Sequence, residues 1–151
     1  MRTTRIILAI IIAATITSCC NMKSVTSLAQ INGEWNVTEI EGKGLPESDS
    51  KPFIGFDAEK KSIYGYTGCN RLTGSISSIG NNGAIDLSHT GSTRMMCPDM
   101  SVEQDILTTL SKVTICKTEK NTLLFCDKDG KTVMNSILLG HLQKRVDYLT
   151  Q

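Results

Sequence analysis

The chain has 151 residues, of which 40% are hydrophobic, 5% aromatic and 21% charged, enough for one domain with a sizeable core and a tail. Sixteen Lys and Arg against 15 Asp and Glu leave a formal charge of +1, which argues against an electrostatic nucleic-acid binder and against an acidic solvating tail. Six cysteines are many for a cytosolic protein of this size.

Residues 1–18 read as an address. Arg2 and Arg5 form a positive N-terminal region, and Ile6 to Ile16 is apolar apart from Thr15. The run is about half the ~20 residues that a spanning helix needs, and it suits the apolar region of a secretory signal. A buried N-terminal strand or helix is the alternative, disfavoured by the flanking arginines. Ile16-Thr17-Ser18-Cys19 resembles a bacterial lipobox. That resemblance implies cleavage before Cys19, diacylglycerol on its sulfur and a palmitate-type acyl chain on its new amine. Cys20 fits the pattern worse, and ordinary cleavage leaving two free thiols is the alternative. Several acyl chains anchor stably where one is marginal. Residues 19–30 are polar, small and without a period, and read as a lipid-anchored tether. Loss of Arg2 and Arg5 turns the mature charge from +1 to −1.

The domain is expected over 31–139. Trp35 and Val37 share one face of a first strand with Glu39, and Ile40 takes the other. Residues 41–52 read as a loop. Phe53 to Asp57 and Ser62 to Thr67 read as a hairpin, with a turn at Asp57–Lys61. Gly68-Cys69-Asn70 turns the chain into Leu72–Ile79. Gly74 inside that strand marks a bulge or a close backbone approach. Asn81-Asn82-Gly83 predicts a tight turn before Ala84–Ser88. A loop covers His89–Thr93, and a short extended piece covers Thr93–Cys97. Ser101 with Gln104 resembles a capping box, and Val102, Ile106, Leu107, Leu110 and Val113 line one helical face. A hairpin of Val113–Thr118 and Thr122–Asp127 turns at Glu119-Lys120-Asn121. Asp129-Gly130 leads into Lys131–Leu139, and 140–151 is a frayed helix or tail. The sum is mainly β with one helix: a small, barrel-like antiparallel sheet of about eight short strands, the helix capping an end or a face.

Two local patterns carry a family resemblance. One is Gly65-Tyr66-Thr67-Gly68-Cys69-Asn70 with Gly74, and the other is Thr93-Arg94-Met95-Met96-Cys97 ahead of the helix. With Gly33-Glu34-Trp35 and the hairpin around Leu123-Leu124-Phe125, they resemble the META domain, also called HslJ-like, over about Leu28 to Leu139. The motif residues are Gly68, Cys69, Asn70, Gly74, Thr93, Met95 and Cys97. The resemblance implies a compact barrel-like domain with one helix, an envelope setting often reached as a lipoprotein, and links to heat stress or antibiotic tolerance. It implies no reaction. Cys116 and Cys126 depart from the simplest pattern.

Four cysteines in the domain allow three connectivities. Cys116 and Cys126 lie on the two arms of one hairpin, centred on Asn121, within disulfide reach if they face each other. Cys69 and Cys97 are then left for one another. The expectation is Cys69–Cys97 and Cys116–Cys126. Metal binding is the rival, but there is no C-x-x-C pair and no His pair at helical spacing, since His89 and His141 stand alone. No redox motif, phosphate loop or nucleophile elbow occurs. No cofactor and no catalytic residue is expected; alanine at His89 and Glu103 tests an enzymatic reading. Arg71 and Arg94 flank the motif cysteines as a candidate site for an anion or an acidic partner. Met95, Met96 and Met100 are a candidate apolar patch, with core filling expected for at least one.

The expected function is therefore non-enzymatic: an envelope lipoprotein, outer-membrane anchored and facing the periplasm because no acidic cluster follows Cys19, presenting its domain to an unknown envelope protein partner. The alternative is a barrel carrying one small ligand.

Overall fold

The computed structural model describes residues 22–46 and 51–140. The signal segment, Cys19, Cys20, most of the C-terminal tail and His141 lie outside the described residues. The described elements are β1 (Lys23–Ser24), β2 (Gly33–Ile40), β3 (Lys43–Gly44), β4 (Phe53–Asp57), β5 (Ser62–Tyr66), β6 (Arg71–Ser75), β7 (Thr90–Ser92), α1 (Ser101–Leu110), β8 (Ile115–Glu119), β9 (Thr122–Cys126) and β10 (Thr132–Leu138).

All strands belong to one antiparallel sheet in the order β1-β8-β9-β10-β2-β4-β5-β6-β7, with β3 added to β2. The sheet curls into a half-barrel. Its inner faces meet where Phe56 of β4 stacks on Phe125 of β9, with ring centroids 6.3 Å apart. Ile31, Ile54, Ile63, Ile106, Leu123 and Met134 fill the interior around them. Trp35 is anchored by an indole N–H donated to the Ile31 carbonyl at 2.8 Å.

Bulges decide which side chains face in. On β2, Val37 pairs with Ser136 and Glu39 with Asn135, so Thr38 is the extra residue. An extra residue reverses the alternation. Ile40 therefore returns to the buried side with Trp35 and Val37, and Glu39 stays half-buried, against simple alternation. A second bulge at Val133 lets consecutive Val133 and Met134 both be buried.

Other expectations shift in bounds. Residues 23–30 are not a tether: Lys23–Ser24 pairs with Lys117–Thr118, and Val25 and Leu28 are buried in the core. The loop after β2 contains β3. The predicted Leu72–Ile79 strand starts at Arg71 and ends at Ser75. Asn81–Gly83 does turn, with Asn82 at φ 66° and Gly83 at φ 83°, but its hairpin shrinks to one bridge, Ile79 to Ile85. Ala84 instead bridges Ile115, and the Ile85 amide donates to the Thr114 carbonyl. The segment after β6 thus crosses to the β8 edge. β7 forms where a loop was expected, and Thr93–Cys97 is not a strand. Gly74 has the predicted close approach: a Cβ there would meet the His89 carbonyl oxygen at 2.7 Å.

The register defines two ends. At one lie Met22, the β8–β9 turn at Lys120–Asn121, the β4–β5 turn, the start of β2 and the exit of β10. At the other lie the β2–β3, β5–β6 and β9–β10 turns. Helix α1 closes this second end. Lys112, just past the helix, pairs with Glu41 at 3.0 Å, and Gly68 packs against Val102.

Candidate functional site

The two sequence motifs meet at the helix-capped end. Cys69 and Cys97 are joined, with Cα atoms 6.0 Å apart across a separation of 28 residues. Gly68 takes φ 110°, a conformation that glycine adopts without a Cβ penalty. It turns the chain so that Asn70, 1% exposed, points under the helix.

Asn70 is the hub. Its backbone N–H donates to Glu103 Oε2 at 2.9 Å, and its Nδ2 donates to Glu103 Oε1 at 2.9 Å and to the Met95 carbonyl at 3.1 Å. Its Oδ1 accepts from the Thr93 hydroxyl and the Met95 amide, both at 2.7 Å. Its own carbonyl accepts from the amide and hydroxyl of Thr67, both at 2.9 Å. One side chain thereby ties the β5–β6 turn, the 93–97 segment and α1 together. Burying such groups is tolerated because each finds a partner.

Glu103, 4% exposed, is the core-facing residue that apolar periodicity leaves out. The helix buries Glu103, Ile106, Thr109 and Leu110, while Val102 and Leu107 are only partly buried. The signal was present: Glu103 stands three residues before Ile106, on the core face. The helix start also differs. Ser101 is the first helical residue, so the N-cap position falls to Met100, which makes no side-chain cap bond; Asp99 Oδ1 accepts the Ser101 amide at 2.8 Å. That bond holds the Asp99 carboxyl below its ordinary pKa.

Around this buried hub the surface is open. Met95 is 60% exposed and Met96 94%, whereas Met100 is half-buried. Arg71 and Arg94 are exposed, and the Arg71 amide and carbonyl both bond Thr93. Neither arginine makes an ion pair among the described residues. Arg71 also edges a surface groove of about 420 Å³ with Phe53, Tyr64 and Tyr66. His89 is exposed in the turn before β7, away from this cluster's hydrogen bonds.

The expected Cys116–Cys126 bond is corrected. Both are unbonded, buried thiols. The β8–β9 turn has two residues, Lys120 and Asn121, so Cys116 stands opposite Phe125 and Cys126 opposite Ile115. Directly opposed residues share a face and successive ones alternate. Cys116 therefore joins the core with Phe125, while Cys126 lies on the other face with its sulfur 3.7 Å from the Thr132 hydroxyl. Burial pushes the Cys116 thiol pKa far up, and the neighbouring Cys126 adds to this. Among the described residues no group of three His, Cys, Asp or Glu side chains is placed to hold a metal ion.

No curated protein matches the sequence. Two solved structures resemble the fold. One, solved by NMR, is 23% identical with a TM-score of 0.58 and covers 76% of this chain and 96% of its own. The other, an NMR structure of a protein from Burkholderia xenovorans, is 17% identical with a TM-score of 0.57 and covers 74% of this chain and 86% of its own. The META domain model matches residues 26–136, spanning both motifs, the disulfide and the helix that follows them, and the chain belongs to the META domain family.

Proposed function

We propose that this META domain is the presenting part of a non-enzymatic envelope lipoprotein, anchored through Cys19 at the periplasmic face of the outer membrane, and that it docks an envelope protein in stress or antibiotic tolerance. One observation carries the reading. Of the motif side chains, Cys69, Cys97, Asn70 and Thr93 are consumed in the disulfide and the Asn70 hydrogen bonds, which leave Met95 and the adjacent Met96 in solvent between two fixed points, Thr93 and Cys97. A flexible thioether pair beside Arg94 suits an adaptable protein contact.

The test is complementation. A Met95→Ser/Met96→Ser variant is expected to fold with unchanged melting temperature and to fail to restore heat or antibiotic tolerance to cells lacking the protein. Full restoration would overturn the docking role. The ligand-carrier alternative has to use surface grooves, because large side chains fill the half-barrel. One candidate, about 540 Å³, lies between Leu107, Leu110 and Val113 on one side and Ile85 and Leu87 on the other. An apolar compound raising the melting temperature favours that reading, since only the folded state would bind it.

A further inference from the structure

The N-terminal strand changes the geometry of attachment. Lys23 already pairs with Thr118 at the sheet edge, and Val25 is fully buried. Only Cys20, Asn21 and Met22 separate Cys19 from the sheet. At roughly 3.5 Å per residue, the Cα of Lys23 stays within about 14 Å of that of Cys19. A free tether from 19 to 30 would reach about three times as far. The headgroup layer on one side of a bilayer is roughly 5–8 Å thick, so so short a link presses the domain onto the surface.

The register says which end touches. Lys23 opposite Thr118 directs the upstream chain toward the β8–β9 turn, away from the helix-capped motif end. Exposed large hydrophobics divide between the two ends. Met95 and Met96 are at the motif end, while Met22, 45% exposed, and Leu139, 47% exposed, are at the anchor end. Leu139 is fixed there by the hydrogen bond that its amide N–H donates to the Glu34 carbonyl at 2.7 Å. Exposed Lys23, Lys61 and Lys120 lie at the same end, together with exposed Glu59 and the half-buried Glu34, Asp57 and Glu119. Exposed apolar side chains with long lysines at the same end suit a bilayer interface, where the stems lie along apolar surface and the ammonium groups reach headgroup phosphates.

We propose that the strand end carrying Met22, Lys23, Lys120 and Leu139 rests on a phospholipid surface, so that Met95 and Met96 point away from it. This rests on lipidation of Cys19.

The mature protein, extracted from its membrane, is first weighed for a lipid increment. It is then reconstituted in vesicles of phosphatidylethanolamine and phosphatidylglycerol carrying a headgroup quencher. A fluorophore sits on an unnatural ketone side chain at position 120 or at position 96. Quenching is expected to be several-fold stronger at 120, and a flexible Gly-Ser insert between Met22 and Lys23 is expected to shrink that difference. Lipidated, vesicle-bound protein with equal quenching at both positions, or more at 96, overturns the orientation and leaves the anchor standing. Protein without lipid overturns both.

Discussion

Two regions of this domain each hold two cysteines, and only one of them forms a disulfide. Cys69 and Cys97 come from a turn and a loop that approach through the Asn70 hydrogen bonds, and nothing periodic dictates how their side chains point. Cys116 and Cys126 sit on regular strands of one hairpin, where a single residue of register decides everything. The hairpin brings the two backbones together and sends the two sulfurs to opposite faces. Nearness in a β-ladder is not reach. An irregular segment held by side-chain bonds can satisfy disulfide geometry that a regular one, offset by one, cannot.

The comparison breaks most severely at the hub. Asn70→Asp replaces the Nδ2 donor with an acceptor facing Glu103, both nearly fully buried. Like acids at hydrogen-bond distance, with the Met95 carbonyl and Glu103 Oε1 deprived of their donor, are expected to cost more than about 4 kcal/mol, enough to unfold a marginal domain. Urea denaturation of the purified domain measures it, and a loss below about 1 kcal/mol would show that the hub is not structural. Next comes Cys69→Ser/Cys97→Ser. Opening a loop closed across 28 residues is expected to cost about 3–4 kcal/mol. Reduction of the wild type should give a similar loss, and the two should not add.

How far the sequence could be read follows from the same contrast. The β4–β5 and β8–β9 hairpins, the single helix and the close approach at Gly74 are visible in turn residues and periodicity, because local chemistry dictates them, whereas the Cys69–Cys97 bond follows only by elimination from a Cys116–Cys126 pair that does not form. Parity is not visible. The bulges at Thr38 and Val133 arise from how neighbouring strands curl, and they move Ile40 and Met134 inward without a marker such as glycine. Apolar periodicity leaves Glu103 out of the helix's core face, because the partner that buries it, Asn70, lies 33 residues away. The Val25–Gln30 segment looked like a tether because its two core anchors, Val25 and Leu28, are too sparse to give a period.

Smaller effects separate the hairpin cysteines. After denaturation without reduction, the domain is expected to titrate two thiols, Cys116 and Cys126. In the folded protein both should resist alkylation, because they are buried and the Cys116 thiolate is strongly disfavoured at neutral pH. A Cys116→Ala variant is expected to lose about 1–2 kcal/mol by opening a small cavity beside Phe125. No thiols in the denatured state would mean that the strands shift register to form the bond.

The weakest effect contrasts two carboxyls four residues apart. Glu103 is buried against Asn70, whereas Asp99 meets solvent and accepts the Ser101 amide at the start of α1. That bond, from backbone and then side chain of Ser101, lowers the Asp99 pKa from 3.8. A carboxyl whose folded pKa is depressed stabilises the fold above its unfolded pKa and loses that contribution as pH falls through the folded value. Asp57 and Asp86 are lowered too and act with the same sign, so the whole-protein acid profile cannot isolate Asp99. Asp99→Asn can: it keeps an oxygen acceptor and removes the charge at the helix N-terminus. The variant is expected to melt slightly below wild type at neutral pH, with the gap closing as the pH falls below the ordinary Asp value of about 4 and wild-type Asp99 takes up its proton. A gap that stays constant across that range would place the stabilisation in the hydrogen bond alone and not in the carboxylate charge.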